Sequence, residues 1–180
     1  DRLMHGESGF HQILGIHMDG TEFPLEITLT KLGSPEHSLI LASIRDVSEQ
    51  SKAQEILRES EERFHGAFTT SAVGMALVGM DGHWLQVNPA LCHIVGYPEE
   101  ELLSTTSQAI THPDDLEPDL EYLRRLIAGE IAYYHLEKRY LHQQGHIVWV
   151  LLSVSIVRDR EHNPLYRVTQ VVDITEWKRN

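Results

Sequence analysis

A sequence pattern that occurs twice in the chain constrains its fold more than any other feature. Each copy has a glycine turn, a strand-like segment of alternating polar and apolar residues, a second apolar segment and a closing acidic motif. The first copy runs from Gly20 to Asp46 and the second from Gly145 to Asp173. The two-residue difference in length falls in the loop between the two apolar segments. A repeat with its elements in the same order predicts two related structural modules.

The second copy has the pattern of an antiparallel three-stranded meander. Its apolar runs His146–Arg158 and Leu165–Ile174 are rich in Val, Ile, Leu and Trp, which favour strands. Turn-forming clusters bound these runs. In the first copy, the corresponding strands are predicted at Gln12–Met18, Thr21–Leu32 and Leu39–Ile44.

Only the second copy is preceded by a full set of further elements. Two short strands are predicted at 73–79 and 83–87, followed by short helices and a longer helix over 116–128. Asn88, followed by a proline, is predicted to cap the first helix, and Gly96 to end it. Segregated helices and a small antiparallel sheet define an α+β fold. The apolar face of the longer helix is predicted to consist of Leu116, Leu120, Leu123 and Ile127.

A segment rich in helix-forming residues joins the two copies, and Ser48 is placed to cap it. We therefore predict three parts: residues 1–48 as the C-terminal strands of a partial domain, 49–68 as a linker helix and 69–180 as a complete domain. In the partial domain, Leu39–Ile44 would be an apolar edge strand, which soluble proteins avoid exposing. We expect the linker helix, the second domain or a second chain to cover it.

Composition and charge exclude several classes of function. The 180 residues carry a formal charge of −12 without a basic stripe, which argues against nucleic-acid binding. A single cysteine, no signal peptide and no apolar run of about 20 residues predict a cytoplasmic chain without membrane insertion. The sequence has no Gly-rich phosphate loop and no nucleophile elbow. Asp114 and Asp115 lie at a helix start, where acids are favoured without catalysis. We predict no enzymatic activity and no catalytic residues.

The segments SEERFHGAFTTSAVGMALVGMDGHWLQVNPALCHIVGYPEEELL, THPDDL and GHIVWV…RDREHNPLYRVTQVVDITE together resemble a PAS domain with its C-terminal PAC motif. The resemblance covers about Ser60 to Lys178, and residues 10–49 resemble the last three strands of a preceding PAS domain. It implies a five-stranded antiparallel sheet of order 2-1-5-4-3, with short helices on one face enclosing a cavity. It also implies a sensory or dimerising module for histidine kinases, cyclic-di-GMP enzymes such as diguanylate cyclases, or similar effectors.

The expected function is therefore sensory input and homodimerisation in a multidomain signalling protein, for example of a two-component system. In the family, the closing motif passes a change in the sheet to an output helix and a C-terminal effector. The alternatives are a flavin-dependent redox sensor and a purely protein–protein interaction adaptor. The expected relay residues are Asp173, Ile174 and Thr175, with Asp46, Val47 and Ser48 in the first copy; Thr175 is expected to cap the outgoing helix.

The cavity implied by the resemblance decides which ligands are expected. Flavin-binding relatives of the light-oxygen-voltage type have amide side chains where this chain has Tyr140, Val150 and Val171, which argues against a light sensor. No histidine stands at the haem-ligand position, and the histidines lack metal-ligand spacing, so no metal is expected. The cavity is either a core filled by its own side chains or a site for a small organic ligand or a flavin. Its candidate lining residues are Met75, Leu77, Leu91, Ile94, Ile110, Leu136, Tyr140, Val150, Leu152 and Val171.

Overall fold

The computed structural model describes residues 8–34 and 37–179. The chain divides into two compact units, Asp1–Arg63 (the first unit) and Phe64–Asn180 (the second unit). The strands are β1 Ser8–Ile16, β2 Glu22–Ser34, β3 His37–Asp46, β4 Gly74–Gly79, β5 Trp84–Val87, β6 Tyr133–Leu141, β7 Ile147–Arg158 and β8 Pro164–Asp173. The helices are α1 Ser48–Thr70, α2 Pro89–Val95, α3 Glu99–Leu103, α4 Pro113–Ile127 and α5 Thr175–Arg179.

The first unit is built on an antiparallel sheet of order β1-β2-β3. A tight turn joins β1 to β2, in which Gly20 has a φ of 86° and the Asp19 carboxylate accepts the backbone N–H of Thr21 at 2.9 Å. This confirms the turn and the meander expected from the first copy of the repeat. The strand β1 begins at Ser8, earlier than predicted.

The edge strand β3 is exposed over its whole length, including Leu39, Ile40, Leu41 and Ile44. No described element of the first unit covers it, so the linker helix, one of the three expected covers, does not do so. The apolar residues Ile56 and Leu57 of α1 are exposed as well.

The second unit has a five-stranded sheet of order β5-β4-β8-β7-β6, with every neighbouring pair antiparallel. Numbered within the unit, this is the order 2-1-5-4-3 implied by the resemblance, so the predicted α+β fold is confirmed. Helices α2, α3 and α4 contribute Leu91, Val95, Leu102, Leu123 and Leu126 to one core with the inward residues of the sheet.

The caps of α2 follow the sequence signals. Asn88 accepts the backbone N–H of Leu91 through its side chain, and Gly96 ends the helix in the left-handed region with a φ of 76°. A side chain at Gly96 would also collide with the ring of His142, since a Cβ would lie 2.1 Å from it. The backbone conformation therefore favours glycine at this position, and any side chain there would also require the ring of His142 to move.

Two predicted faces differ from those in the structure. Along β4, Ala76 and Val78 are buried in the core, whereas Met75 and Leu77 are half-buried on the opposite side. The run GMALVG is apolar on both faces, so it gives no alternation that would fix the inward side. In α4, Leu126 is buried in place of Ile127.

Candidate ligand cavity and signalling junction

Most of the predicted cavity residues lie in the core between the helices and the sheet. Ile94 and Leu136 are partly buried and pack against it. Met75 and Leu77 do not belong to this group, since they lie on the other face of β4. Whether the group receives a ligand stays a prediction. The fully buried members are Leu91, Ile110, Tyr140, Val150, Leu152 and Val171.

A buried ion pair lies at one end of this core. The ammonium of Lys138, a residue only 1% exposed, donates to Asp119 at 2.5 Å and to the hydroxyl of Thr111 at 3.2 Å. The other carboxylate oxygen of Asp119 accepts the hydroxyl of Tyr134 at 2.8 Å. Both oxygens of this carboxylate are therefore engaged by the protein, as a buried charge requires.

A second cation, Arg167, lies on the inward face of β8 and is 5% exposed. Its Nη2 donates to the carbonyl oxygen of Gly79 at 3.3 Å. Beside it is a small cavity of about 10 Å³, roughly the space that one water needs. The cavity is lined by Val78, Trp84, Ser107, Asp119, Tyr134, Lys138, Tyr140, Leu152, Val154, Arg167 and Thr169.

Burial dominates the protonation chemistry of this end of the core. It raises the pKa of the Tyr134 hydroxyl, and the charge of Asp119 raises it further. It also raises the pKa of Tyr140. Burial lowers the pKa of Arg167, because the loss of hydration outweighs the attraction of neighbouring acidic groups, including Asp119. Both tyrosine hydroxyls therefore remain neutral at physiological pH, and that of Tyr134 donates to Asp119.

The sequence interpretation missed this polar cluster although part of its signal was present. In β6, Lys138 lies on the same buried face as Tyr140, and in β8, Arg167 and Thr169 lie on the same buried face as Val171, so strand alternation carries part of the signal. The lining predicted from the sequence consists of Tyr140 and apolar residues and omits these polar ones. Asp119 had no comparable signal, because it interrupts the apolar stripe of α4.

The positions that would face a flavin ring of the light-oxygen-voltage type are fully apolar or phenolic. Val150 and Val171 are completely buried, and Tyr140 is 1% exposed. None of them offers an amide to the polar edge of an isoalloxazine, and the free space nearby is about 10 Å³. The residues therefore do not fit a flavin bound in that manner.

The closing motif joins β8 to α5 through contacts with β7. The backbone N–H of Ile174 donates to the carbonyl oxygen of Trp149 at 2.8 Å, and the N–H of Trp149 donates to the hydroxyl oxygen of Thr175 at 3.0 Å. The carboxylate of Asp173 accepts the N–H of Thr175 at 2.8 Å. Thr175 was expected to cap α5 through its hydroxyl. It does not do so, because that hydroxyl is bound to Trp149 of β7 instead.

The first unit repeats this geometry with one difference. The N–H of Val47 donates to the carbonyl oxygen of Pro24, and the carboxylate of Asp46 accepts the N–H of Ser48 at 2.9 Å. Pro24 stands where the second copy has Trp149 and has no N–H to donate. The hydroxyl of Ser48 donates to Asp46 instead, at 2.6 Å, which lowers the pKa of that carboxyl group. This hydroxyl does not cap α1 either.

The side chain of Asn88 forms hydrogen bonds with the C-terminal end of α1, where the second unit begins. The Nδ2 group of this fully buried side chain donates to the carbonyl oxygens of Phe68 at 3.0 Å and Val73 at 2.9 Å. Its Oδ1 accepts the N–H groups of Met75 at 2.8 Å and Leu91 at 3.0 Å. One side chain thus joins the end of α1, the start of β4 and the start of α2.

Residues 85–170 match the family described as the PAS fold. A solved PAS domain from a two-component sensor histidine kinase superposes on the chain with a TM-score of 0.54 at 27% identity, covering 64% of this chain and 98% of that one. The second unit is a PAS domain. The sheet order, the helices on one face and the α2 caps of this PAS domain are those expected from the sequence. The assignment of a separate PAC motif stays a prediction.

Two further comparisons concern relatives of the PAS domain. The chain is 50% identical over 123 residues to the probable diguanylate cyclase DgcE of Escherichia coli (strain K12), covering 68% of this chain and 11% of that protein. A light-oxygen-voltage protein of Rhodobacter sphaeroides shares the fold, with a TM-score of 0.55 at 19% identity over 65% of this chain and 68% of that one. The chain spans between 11% and 24% of the lengths of three curated signalling relatives.

Two properties of the described residues bear on metal and membrane binding. Within residues 8–34 and 37–179, no group of three or more His, Cys, Asp or Glu side chains is placed to hold a metal ion. None of the helices in this part of the chain is long and apolar enough to cross a membrane.

Proposed function

We propose that the chain is a sensory input module of a multidomain signalling protein, and that its PAS domain passes a change in the cavity to α5 and on to a C-terminal effector. The relatives support this, since they are named as a probable diguanylate cyclase, a sensor histidine kinase and a transport sensor protein. Catalysis would then belong to the effector. We also propose the three-part division at residues 48 and 68, with residues 1–48 as the end of a preceding PAS domain.

The observation that carries the proposal is the double attachment of the closing motif to Trp149. The neighbours of Trp149 in β7, Val148 and Val150, both point into the core and are 4% and 0% exposed. A displacement of their side chains by a ligand must move the backbone of β7, because the packed interior does not absorb it. The N–H and carbonyl of Trp149 transmit that movement directly to Ile174 and Thr175.

The test replaces Thr175 in the chain fused, through a continuous α5, to a diguanylate cyclase domain. Thr175→Val removes the acceptor of the Trp149 N–H while keeping the side-chain shape, so we expect a changed basal cyclase activity, by about threefold or more for one net hydrogen bond. Thr21→Val is the matched control, since Thr21 is exposed in the β1–β2 turn. Equal activity of the parent and both variants would contradict the relay.

A homodimer is part of the same proposal. The exposed edge of β3 and the exposed apolar residues Ile56 and Leu57 of α1 offer surfaces that a second chain could cover. The adaptor function remains the alternative, because the same surfaces could receive another protein. Sedimentation velocity separates the two, since a purified chain that stays monomeric at every concentration would contradict the homodimer.

A further inference from the structure

In the PAS domain, the indole ring of Trp149 lies where β6, β7 and the start of α5 meet. The guanidinium carbon of Arg139 is 5.3 Å from the centre of this ring, and the ammonium of Lys178 is 5.1 Å from it. Arg139 is paired with Asp115, and Lys178 is paired with Glu137. The ring is therefore held by two cation–π contacts in addition to its apolar packing.

The first unit has the same strand pairing at this place but lacks the ring. Leu14 of β1 lies opposite Pro24 of β2, as Arg139 of β6 lies opposite Trp149 of β7. The repeat thus replaces the large indole ring by the small ring of a proline. It also replaces the guanidinium that covers the indole by an apolar side chain.

The helix that leaves the sheet starts in the same way in both units. The N–H of Ser51 donates to the carbonyl oxygen of Val47 at 2.8 Å, and the N–H of Lys178 donates to that of Ile174 at 3.1 Å. Ser51 therefore stands where the PAS domain has the second cation over the ring. Its short side chain cannot reach across the space that the lysine covers.

A groove of about 330 Å³ lies at this place in the first unit. An apolar cavity of about 150 Å³ is enough to bind benzene, so the groove has room for two fused rings. The side chains that the repeat makes smaller or neutral are among its walls. These walls include Gln12, Leu14, Pro24, Leu25, Val47 and Ser51.

The walls of the groove determine the chemistry of a ligand. None of the described residues that line it carries a charge, so a charged ligand would lose hydration without gaining an opposite charge. Leu14, Pro24 and Val47 provide apolar contact, and Val47 is buried. The amide of Gln12 and the hydroxyl of Ser51 can each accept a hydrogen bond from one polar N–H or O–H group. The corresponding backbone of the PAS domain accommodates a planar ring.

We propose that this groove binds a small, neutral, planar aromatic compound of the size of indole, in the position that the ring of Trp149 has in the PAS domain. The site lies beside Val47 of the first closing motif, at the start of α1. It is a ligand site outside the core of the PAS domain, and it does not depend on the relay proposed for Thr175.

The test is a titration of the whole 180-residue chain, labelled with ¹³C in the methyl groups of Ile, Leu and Val, with indole up to its solubility limit. We expect the methyl resonances of Leu14 and Val47 to move saturably, because an aromatic ring would lie against them. Those of Val150 and Leu152, in the core of the PAS domain, should stay in place. Cyclohexanol, a neutral compound with a saturated ring, should not displace indole.

Variants link the binding to the groove. Pro24→Trp supplies the ring that the other copy of the repeat carries, so the groove is filled and indole binding should be lost. Leu39→Trp is the matched control, because it adds a tryptophan on the exposed strand β3 outside the groove and should leave the affinity unchanged. Leu14→Asn alters an exposed wall residue with little effect on folding, and it should weaken the binding seen at Val47.

Three results would overturn the proposal. They are groove methyl resonances that do not move saturably, equal movement of the core methyl resonances, and equal indole affinities of the parent chain and a folded Pro24→Trp variant. The Thr175→Val experiment tests the second unit without any added ligand. A failed titration therefore leaves the sensory function standing, and a failed relay leaves this site standing.

The exposed Trp177 of α5 is the competing occupant, since it could enter the groove of a second chain. In that case the apparent affinity for indole would fall as the protein concentration rises, and Trp177→Ala would remove this dependence. That pair of results would overturn the proposal in favour of a contact between copies. An affinity that does not depend on protein concentration supports a free aromatic ligand.

Discussion

Replacing Asn88 by alanine should destabilise the PAS domain more than any ordinary polar substitution. The side chain is completely buried and makes four hydrogen bonds, two as acceptor and two as donor. Loss of the α2 cap costs about 1 kcal/mol. The change also leaves the N–H of Met75 and the carbonyls of Phe68 and Val73 without this partner, at about 1 kcal/mol or more for each.

The sum is about 4 kcal/mol, which corresponds to a fall in melting temperature of roughly 15 °C for a domain of this size. All three tryptophans lie in the second unit, so urea unfolding followed by tryptophan fluorescence reports on that unit alone. Asn163→Ala is the matched control, because Asn163 is exposed and all its hydrogen bonds to described residues lie within its own turn. We expect a change below about 0.5 kcal/mol there.

Asn88→Asp separates the two halves of the interaction. Aspartate keeps the oxygen that accepts from Met75 and Leu91 but turns a second acceptor towards the carbonyls of Phe68 and Val73. We therefore expect it to destabilise the domain at neutral pH although it is a good capping residue. The reasoning is refuted if Asn88→Ala loses less than about 1 kcal/mol, since one buried unsatisfied group alone should exceed that value.

Two further predictions concern the ion pairs of the PAS domain. Lys138→Met leaves the buried Asp119 without its cation and should cost about 3 kcal/mol in urea unfolding, whereas Lys178→Met, at an exposed ion pair, should cost less than about 1 kcal/mol; equal losses would contradict the role of burial. Asp115 receives two hydrogen bonds from the guanidinium of Arg139, which lowers its pKa below 3.8. The unfolded state then binds the proton first, so the stabilisation is present above pH 3.8 and is lost as the pH falls through the lowered pKa. Asp115→Asn should therefore be less stable than the parent at neutral pH and approach it in acid, and a gap that does not depend on pH would refute this.

The sequence predicted the elements that local chemistry and repetition determine. The repeat located both meanders, and Asn88 and Gly96 bounded α2 as they do in the structure. The sheet order came from the family resemblance and not from the strands themselves. These predictions succeeded because turns, caps and alternation act over a few residues.

The predictions failed where an orientation depends on distant partners. The strand β4 is apolar on both faces, so only its packing against the helices shows that Ala76 and Val78 point inward. In α4, Asp119 occupies an inward position because Lys138 reaches it from β6, 19 residues later in the chain. A prediction that assigns only apolar residues to the core omits the Lys138–Asp119 ion pair, and it therefore omits the polar end of the cavity.

Because of the proline at position 24, the two closing motifs differ in the number of hydrogen bonds that attach them to their sheets. In the second unit, both the N–H and the carbonyl of Trp149 bind the residues that follow β8. In the described part of the first unit, the carbonyl of Pro24 is the one group of that residue that binds the residues following β3. A single amino-acid exchange at this position therefore adds or removes one hydrogen bond between the sheet and the start of the helix that follows it. Duplicated modules that share every other contact can in this way be tuned one at a time.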